Sequence, residues 1–281
     1  MIAIMSFNIN MYSPSATKAS ESVLVEVLRI LRMYSEFFVL IGGWAPYYIL
    51  EHFSKPLNFQ HCGSVDIDLV MDQRLREATK YATIVELLLG RGYRQHVENG
   101  NIIPYRFDRT VESPIDRRMC DVHLDFITEP PETRLQDGLE AAGIRGCSVV
   151  FKHVFNHSIR GLLPGNGEIS VEARIADVVG CLTTKGLAMR NRYKEKDAYD
   201  IYAVVNYYNE GPEDAASEFR SNIEDPTIKE SLQTIHEQFS SPDAEGPYSV
   251  ASFMYPTDTD LQERARTDAY MQLEKFFKSL S

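Results

Sequence analysis

Two stretches, Phe37-Phe38-Val39-Leu40-Ile41-Gly42-Gly43-Trp44 and Gly63-Ser64-Val65-Asp66-Ile67-Asp68-Leu69-Val70, decide how this chain is read. In the second, Val65, Ile67 and Leu69 alternate with Asp66, Asp68 and Val70, the period of a strand with one apolar face. Asp66 and Asp68 then share the other face. Residues i and i+2 of a strand lie roughly 6 to 7 Å apart, so the two carboxylates can converge on one hard cation or on two neighbouring ones. Oxygen ligands of this kind suit Mg2+ or Mn2+. Alternating acids are also the pattern of a solvated strand face; the diglycine upstream shifts the balance. Gly42-Gly43 stands between an apolar strand, Phe37 to Ile41, and a helix opening at Pro46. Backbone N–H groups are unsatisfied there and no Cβ blocks close approach. An anion cradle facing a cation site is what a metal triphosphate requires.

The chain of 281 residues is long enough for two domains. With 44% hydrophobic and 25% charged residues it has the composition of an ordinary soluble globular protein. No apolar run approaches the roughly 18 residues of a membrane span, and Met1 to Asn10 lacks the basic flank of a signal peptide. The four cysteines, Cys62, Cys120, Cys147 and Cys181, form no C-x-x-C pair, which fits reduced thiols and a cytoplasmic location. His153 and His157 are four apart, yet no Cys or acidic partner stands at a metal-site interval, so no zinc site is expected there.

The net charge of −11 is unevenly spread, with 15 acidic against 6 basic residues from Asn206 onward. Such a surface repels phosphate backbones, which makes the C-terminal part a poor nucleic-acid groove. Arg91, Arg94, Arg106, Arg109, Arg117 and Arg118, and Lys185 to Lys196, are the basic clusters; a solvated surface is the plain reading of most of them.

Taken in order, Ser20 to Met33 has the apolar spacing of an amphipathic helix, and Trp44 reads as packed core or as a lining of the nucleotide pocket. Leu75 to Leu89 reads as a helix ended by Gly90 and Gly92. Tyr93 to Val97 and Ile102 to Phe107 read as a hairpin around Asn99-Gly100-Asn101, and Asp108 to Arg118 as a polar loop. Cys120 to Ile127 is a second alternating strand, with Asp121, His123 and Asp125 on its polar face. Cys147 to Phe155 and Glu168 to Val171 read as strands around a Pro164-Gly165-Asn166-Gly167 turn. From Ala173 onward a helical half begins. Ile175, Val178, Val179, Leu182, Gly186 and Met189 make one stripe, with Lys185 inside it, where a lysine must snorkel or meet an anion. The next helix opens with Lys196-Asp197-Ala198-Tyr199-Asp200-Ile201-Tyr202. After Pro226, Pro242 and Pro247 a final amphipathic helix is expected over Ala265 to Leu280.

These residues resemble a family. Gly-Gly at a strand-helix turn followed by Gly/Ser-x-Asp-x-Asp on a strand is similar to the signature of the DNA polymerase β-like nucleotidyltransferases. The longer spacing from Gly43 to Asp66 fits an insertion around Phe53 to Cys62. The run from Ile175-Ala176-Asp177 to Lys185-Gly186-Leu187-Ala188-Met189-Arg190, followed by Lys196 to Tyr202, resembles the Lys-x-x-Ala-x-x-x-Arg and Arg/Lys-Asp-x-Tyr-Asp-Leu motifs of the AbiEii-type branch, toxins of bacterial toxin-antitoxin pairs and their relatives. The resemblance spans Phe37 to Val205. The acidic tail carries no motif of the family, and Gly-Gly-Trp-Ala is also similar to aminoglycoside adenylyltransferases.

The resemblance implies an α+β protein: a palm-like domain over residues 1–172, a mixed sheet with helices, and a helical domain over 173–281. It implies NMP transfer from an NTP to a hydroxyl acceptor with release of pyrophosphate, and Mg2+ or Mn2+ held by Asp66, Asp68 and a third carboxylate. Asp125, between packed neighbours, is the better candidate for that carboxylate and Asp121 the alternative, with His123 a neighbour of the site. Gly42, Gly43, Ser64 and Lys185 would bind the nucleotide; Lys196, Asp197 and Asp200 would serve the acceptor side. The acceptor would be tRNA, with an antitoxin as protein partner, or a small molecule of the aminoglycoside type. A non-catalytic nucleotide-binding protein would be expected to have lost a carboxylate.

Overall fold

The computed structural model describes residues 8–54, 59–77, 83–136, 139–165, 167–192 and 194–280. Part of the expected insertion (55–58), the middle of the expected 75–89 helix (78–82) and Asn166 of the expected turn lie outside the described residues. The α+β class expected from the sequence is observed: a mixed sheet accompanied by helices. The chain forms two compact units. One comprises residues 14–48 and 63–180, the other 1–13, 49–62 and 181–281.

The first unit is built on strands β1 (Phe38–Ile41), β2 (Ile67–Met71), β3 (Arg94–Glu98), β4 (Asn101–Glu112) and β5 (Met119–Thr128), followed by the short β6 (Arg134–Gln136), β7 (Leu139–Glu140) and β8 (Ala142–Gly143), then β9 (Val154–Leu162) and β10 (Glu168–Ala176). The main sheet has the order β3-β4-β5-β2-β1-β10-β9, with β8 added to β5; β6 and β7 pair separately. Strands β1 and β2 are antiparallel, whereas β2 and β5 are parallel, as are β1 and β10. Helix α1 (Pro14–Ile30) packs against β4, β5, β9 and β10. Its Ala19, Val23, Leu24, Val27 and Leu28 are buried, as helical spacing of apolar residues requires. The same sheet carries buried Ile67, Leu69, Phe107, Val122, Leu124 and Phe126, which by strand alternation share one face.

The described helices then continue as α2 (Trp44–Phe53), α3 (Ile84–Leu89), α4 (Cys147–Val150), α5 (Val178–Asn191), α6 (Glu195–Tyr207), α7 (Pro212–Ser217), α8 (Pro226–Gln238), α9 (Glu245–Met254) and α10 (Thr259–Leu280). In the second unit α6 packs on α7, α9 and α10, and α9 on α8 and α10. Phe253, Ala269, Leu273 and Phe276 are fully buried there. Gly186 is needed where α5 meets α8: its position leaves no room for a Cβ beside Ser231, whose hydroxyl donates to the Leu182 carbonyl at 3.1 Å. No helix among the described residues is long and apolar enough to cross a membrane.

Several local expectations are corrected. The helix after the diglycine begins at Trp44, two residues before Pro46, so Pro46 sits inside the first turn, where a missing donor is harmless. The first helix begins at Pro14 and ends at Ile30, and a 3-10 turn over Arg32–Phe37 follows. Asp108 to Arg118 is not all loop, because β4 runs on to Glu112. Cys147 to Val150 is a helical turn entered through Gly146 at φ +93°, and only from Val154 does a strand follow. The helical half begins at Val178, since Ala173, Ile175 and Ala176 belong to β10.

Candidate functional site

Four adjacent strands set one row of side chains side by side. Ile41 of β1 pairs with Asp68 of β2, Asp68 with Asp125 of β5, and Asp125 with Arg106 of β4. Registered positions on neighbouring strands point to the same face, so Asp68, Asp125 and Arg106 project together, away from the buried Leu124 and Phe126. Asp125 is the strand position level with Asp68. Asp121, four residues earlier, is exposed and accepts a hydrogen bond from Thr110 Oγ1 at 2.5 Å.

Arg106 clamps Asp125 with two hydrogen bonds, Nε to Oδ1 at 2.7 Å and a terminal guanidinium nitrogen to Oδ2 at 2.6 Å. This bidentate fork fixes the carboxylate's plane as well as its position. The hydrogen bonds to Asp125 and its charge, with a further contribution from Asp66, push the Arg106 guanidinium above its ordinary pKa despite partial burial. Asp66 therefore acts electrostatically on the same row, although the regular strand begins one residue after it.

Gly42 follows β1 at φ +67°, a left-handed conformation that suits glycine. A Cβ on Gly42 would overlap the Asp68 carboxylate. The diglycine and the second aspartate are thus in direct contact, with the start of α2 immediately after Gly43. Ser64 is buried just ahead of Asp66. Trp44 is core: it is 1% exposed, its Nε1 donates to Ser20 Oγ at 3.2 Å, and its ring stacks with Tyr48.

Among the described residues, one group of three metal-capable side chains has ligand atoms mutually within 4.8 Å, and it is His96, Asp108 and His123. Asp66, Asp68 and Asp125 do not form such a group, and both Asp125 oxygens are held by Arg106. The sequence reading places Arg106 among solvated surface arginines and Asp108 in a loop. Asp108 joins the sheet because β4 runs on past Phe107, and Arg106 meets Asp125 through the β4–β5 register.

In the second unit Lys185 does not snorkel. It is buried, and its Nζ donates to Asp197 Oδ1 at 2.8 Å and to Asp200 Oδ2 at 2.6 Å. Lys196 Nζ donates to Asp200 Oδ1 at 2.5 Å and lies 5.0 Å from the Tyr12 ring centroid. His61 Nε2 donates to the same Oδ1 at 2.9 Å. Burial alone would raise the Asp200 pKa, but the charges of Lys185 and Lys196 and the bond from His61 hold it well below the carboxylate range. Burial and the nearby Lys196 charge push His61 down to about 4, so its ring is neutral near pH 7. Lys196, Asp197 and Asp200, expected on the acceptor side, and Lys185, expected on the phosphates, are therefore joined in one buried, charge-balanced cluster. Sequence spacing announced the Lys196 to Asp200 pair, at i,i+4, but gave no sign of His61.

Comparison of the chain with protein-family models, with curated proteins and with solved structures found no match.

Proposed function

We propose that this chain is a metal-dependent nucleotidyltransferase. The observation that carries the reading is the contact of Asp68 with Gly42 at the start of α2, with Asp125 level with Asp68 on the next strand. The first N–H groups of a helix have no intrahelical acceptors and favour anions. Two carboxylates beside such a cradle repel a bare phosphate; they favour one that brings its own divalent cation. The donor set of Asp66 and Asp68, hard carboxylate oxygens two residues apart at the start of β2, fits Mg2+ or Mn2+.

Bound there, the cation would neutralise the triphosphate and the charge that builds as pyrophosphate leaves. Gly42 and Gly43 would let the phosphates approach the backbone. Arg106 would keep Asp125 oriented, and Asp125 would accept the proton of the acceptor hydroxyl. The cluster of Lys185, Lys196, Asp197, Asp200 and His61 would hold the helical unit's shape, which replaces direct phosphate contact as the role of Lys185 in this reading. The palm fold of the nucleotidyltransferases is part of the same proposal, as is action as a toxin on tRNA, with a small-molecule acceptor as the second acceptor class.

The test is incubation of the pure protein with Mg2+ and each labelled NTP, alone, with bulk tRNA and with aminoglycosides. Transfer of label to an acceptor, lost in Asp68→Asn, supports the proposal. Release of inorganic phosphate without transfer would make it a phosphohydrolase. Binding of NTP with no turnover would make it a non-catalytic binder.

A further inference from the structure

The cluster on β3, β4 and β5 carries a separate inference. His123 of β5 pairs directly with Asp108 of β4, and its Nδ1 lies 2.7 Å from Asp108 Oδ1. His96 of β3 reaches the same carboxylate, its Nδ1 2.8 Å from Oδ2. The two rings stand edge to face at 5.3 Å. His96 arrives there through an irregularity. The β3–β4 register shifts between Gln95 and His96, so that Gln95 pairs with Phe107 but His96 with Ile103. Pro104 lies in the skipped stretch, where its missing N–H cannot join the ladder. All three side chains are half-buried and line a cavity of about 410 Å3, together with Arg94, Thr110 and Asp121.

We propose that His96, Asp108 and His123 form a binding site for a divalent first-row transition metal of the zinc class, distinct from the Asp66 and Asp68 site. Two imidazole nitrogens and one carboxylate oxygen are the donor set that suits such ions and that Mg2+ does not favour. Ligand atoms around tetrahedral zinc stand about 3.3 Å apart, given metal-ligand bonds of about 2.0 to 2.2 Å. The two N···O separations here are shorter, and all three ligand atoms lie within 4.8 Å of one another. Small ring rotations would bring the three onto one ion. The cavity leaves the fourth position facing solvent, the arrangement of an open rather than a closed zinc site. Asp108 and Arg106 lie two residues apart on β4, so the two sites would be neighbours on one sheet face, roughly 6 to 7 Å along the strand.

The test uses the metal-stripped full chain, titrated with Zn2+ and with Co2+ in the presence of excess Mg2+. One tight equivalent is expected, retained in Asp68→Asn and weakened roughly tenfold or more in His96→Ala and in His123→Ala. Circular dichroism melts without metal establish that each variant is folded. A readout without substitutions is the 15N spectrum of the imidazoles: Zn2+ should shift two of the seven histidines. Absence of a tight equivalent, equal binding in the His96→Ala/His123→Ala double variant, or loss of the equivalent in Asp68→Asn would each overturn the assignment. None of these results depends on transferase activity, so the two proposals stand or fall separately.

Discussion

The carboxylate of Asp68 lies against Gly42, in the space a Cβ at that position would occupy. Gly42 also has a φ of +67°, so two independent reasons demand glycine there. Gly42→Ala should cost roughly 1 to 2 kcal/mol in backbone strain alone and should swing Asp68 away from its place beside Asp125. A fall in NMP transfer far larger than the fall in melting temperature is the expected outcome, measured by labelled-NTP turnover and thermal unfolding of the same preparations. Wild-type turnover in this variant would disconnect the diglycine from the site.

Asp68→Asn and Asp66→Asn keep side-chain shape while removing one of several clustered negative charges. Without metal, that change should be neutral or mildly stabilising, whereas transfer should be abolished. Urea unfolding paired with the transfer assay checks both halves. Residual turnover near wild type in either variant would remove that residue from the metal site.

Lys185→Met should behave as a core lesion. It leaves the buried Asp197 and Asp200 short of their shared cation, and breaking a buried ion pair from one side costs roughly 3 to 5 kcal/mol. Adding Asp197→Asn, which leaves Lys196 paired with Asp200, should recover part of that loss. Urea midpoints for the single and double variants measure it. A stable Lys185→Met protein with weakened NTP affinity would instead restore the phosphate role.

His61 makes stability depend on pH. Its folded pKa of about 4 lies below the ordinary 6.5, so the unfolded chain takes up a proton first as pH falls. The contribution is complete above about 6.5 and declines as the pH drops toward 4, by roughly 3 kcal/mol in all. Asp197 and Asp200, whose pKa values are also depressed, add their losses at still lower pH. Unfolding free energies from neutral pH downward should show the first decline in wild type and a flatter profile in His61→Gln. Identical profiles would mean that His61 is not the titrating group.

The toxin reading predicts that expression in a heterologous bacterium slows growth and that the Asp68→Asn form does not. Equal growth arrest by both forms would point away from an enzymatic toxin. Harmlessness of both would favour a small-molecule acceptor.

How far the sequence could be read depended on how local each signal was. Alternation over Val65 to Met71 and Cys120 to Ile127 gave both acidic strands, and Asn99-Gly100 gave the β3–β4 hairpin, whose φ values are +50° and +79°. Short apolar runs misled. Val149-Val150 reads equally as strand or helix, and Gly146 at φ +93° makes it a helical turn. Ile175 fits a helical stripe, yet pairing with β9 and β1 takes it into the sheet.

What the sequence by itself determined are the features set by neighbours a few residues away: the faces of the acidic strands, the glycine turn before α2, and the caps and turns. Only the tertiary structure decided which charge meets which. Asp125 rather than Asp121 stands level with Asp68 because the parallel register of β2 and β5 says so. Arg106 became the clamp on Asp125 through the β4–β5 register. Lys185 found carboxylates, and His61 found Asp200 across 139 residues of chain. Pairing partners of buried charges are chosen by desolvation, which penalises any charge left alone in the interior. That penalty acts on where the folded chain brings groups together, and spacing along the sequence does not record it.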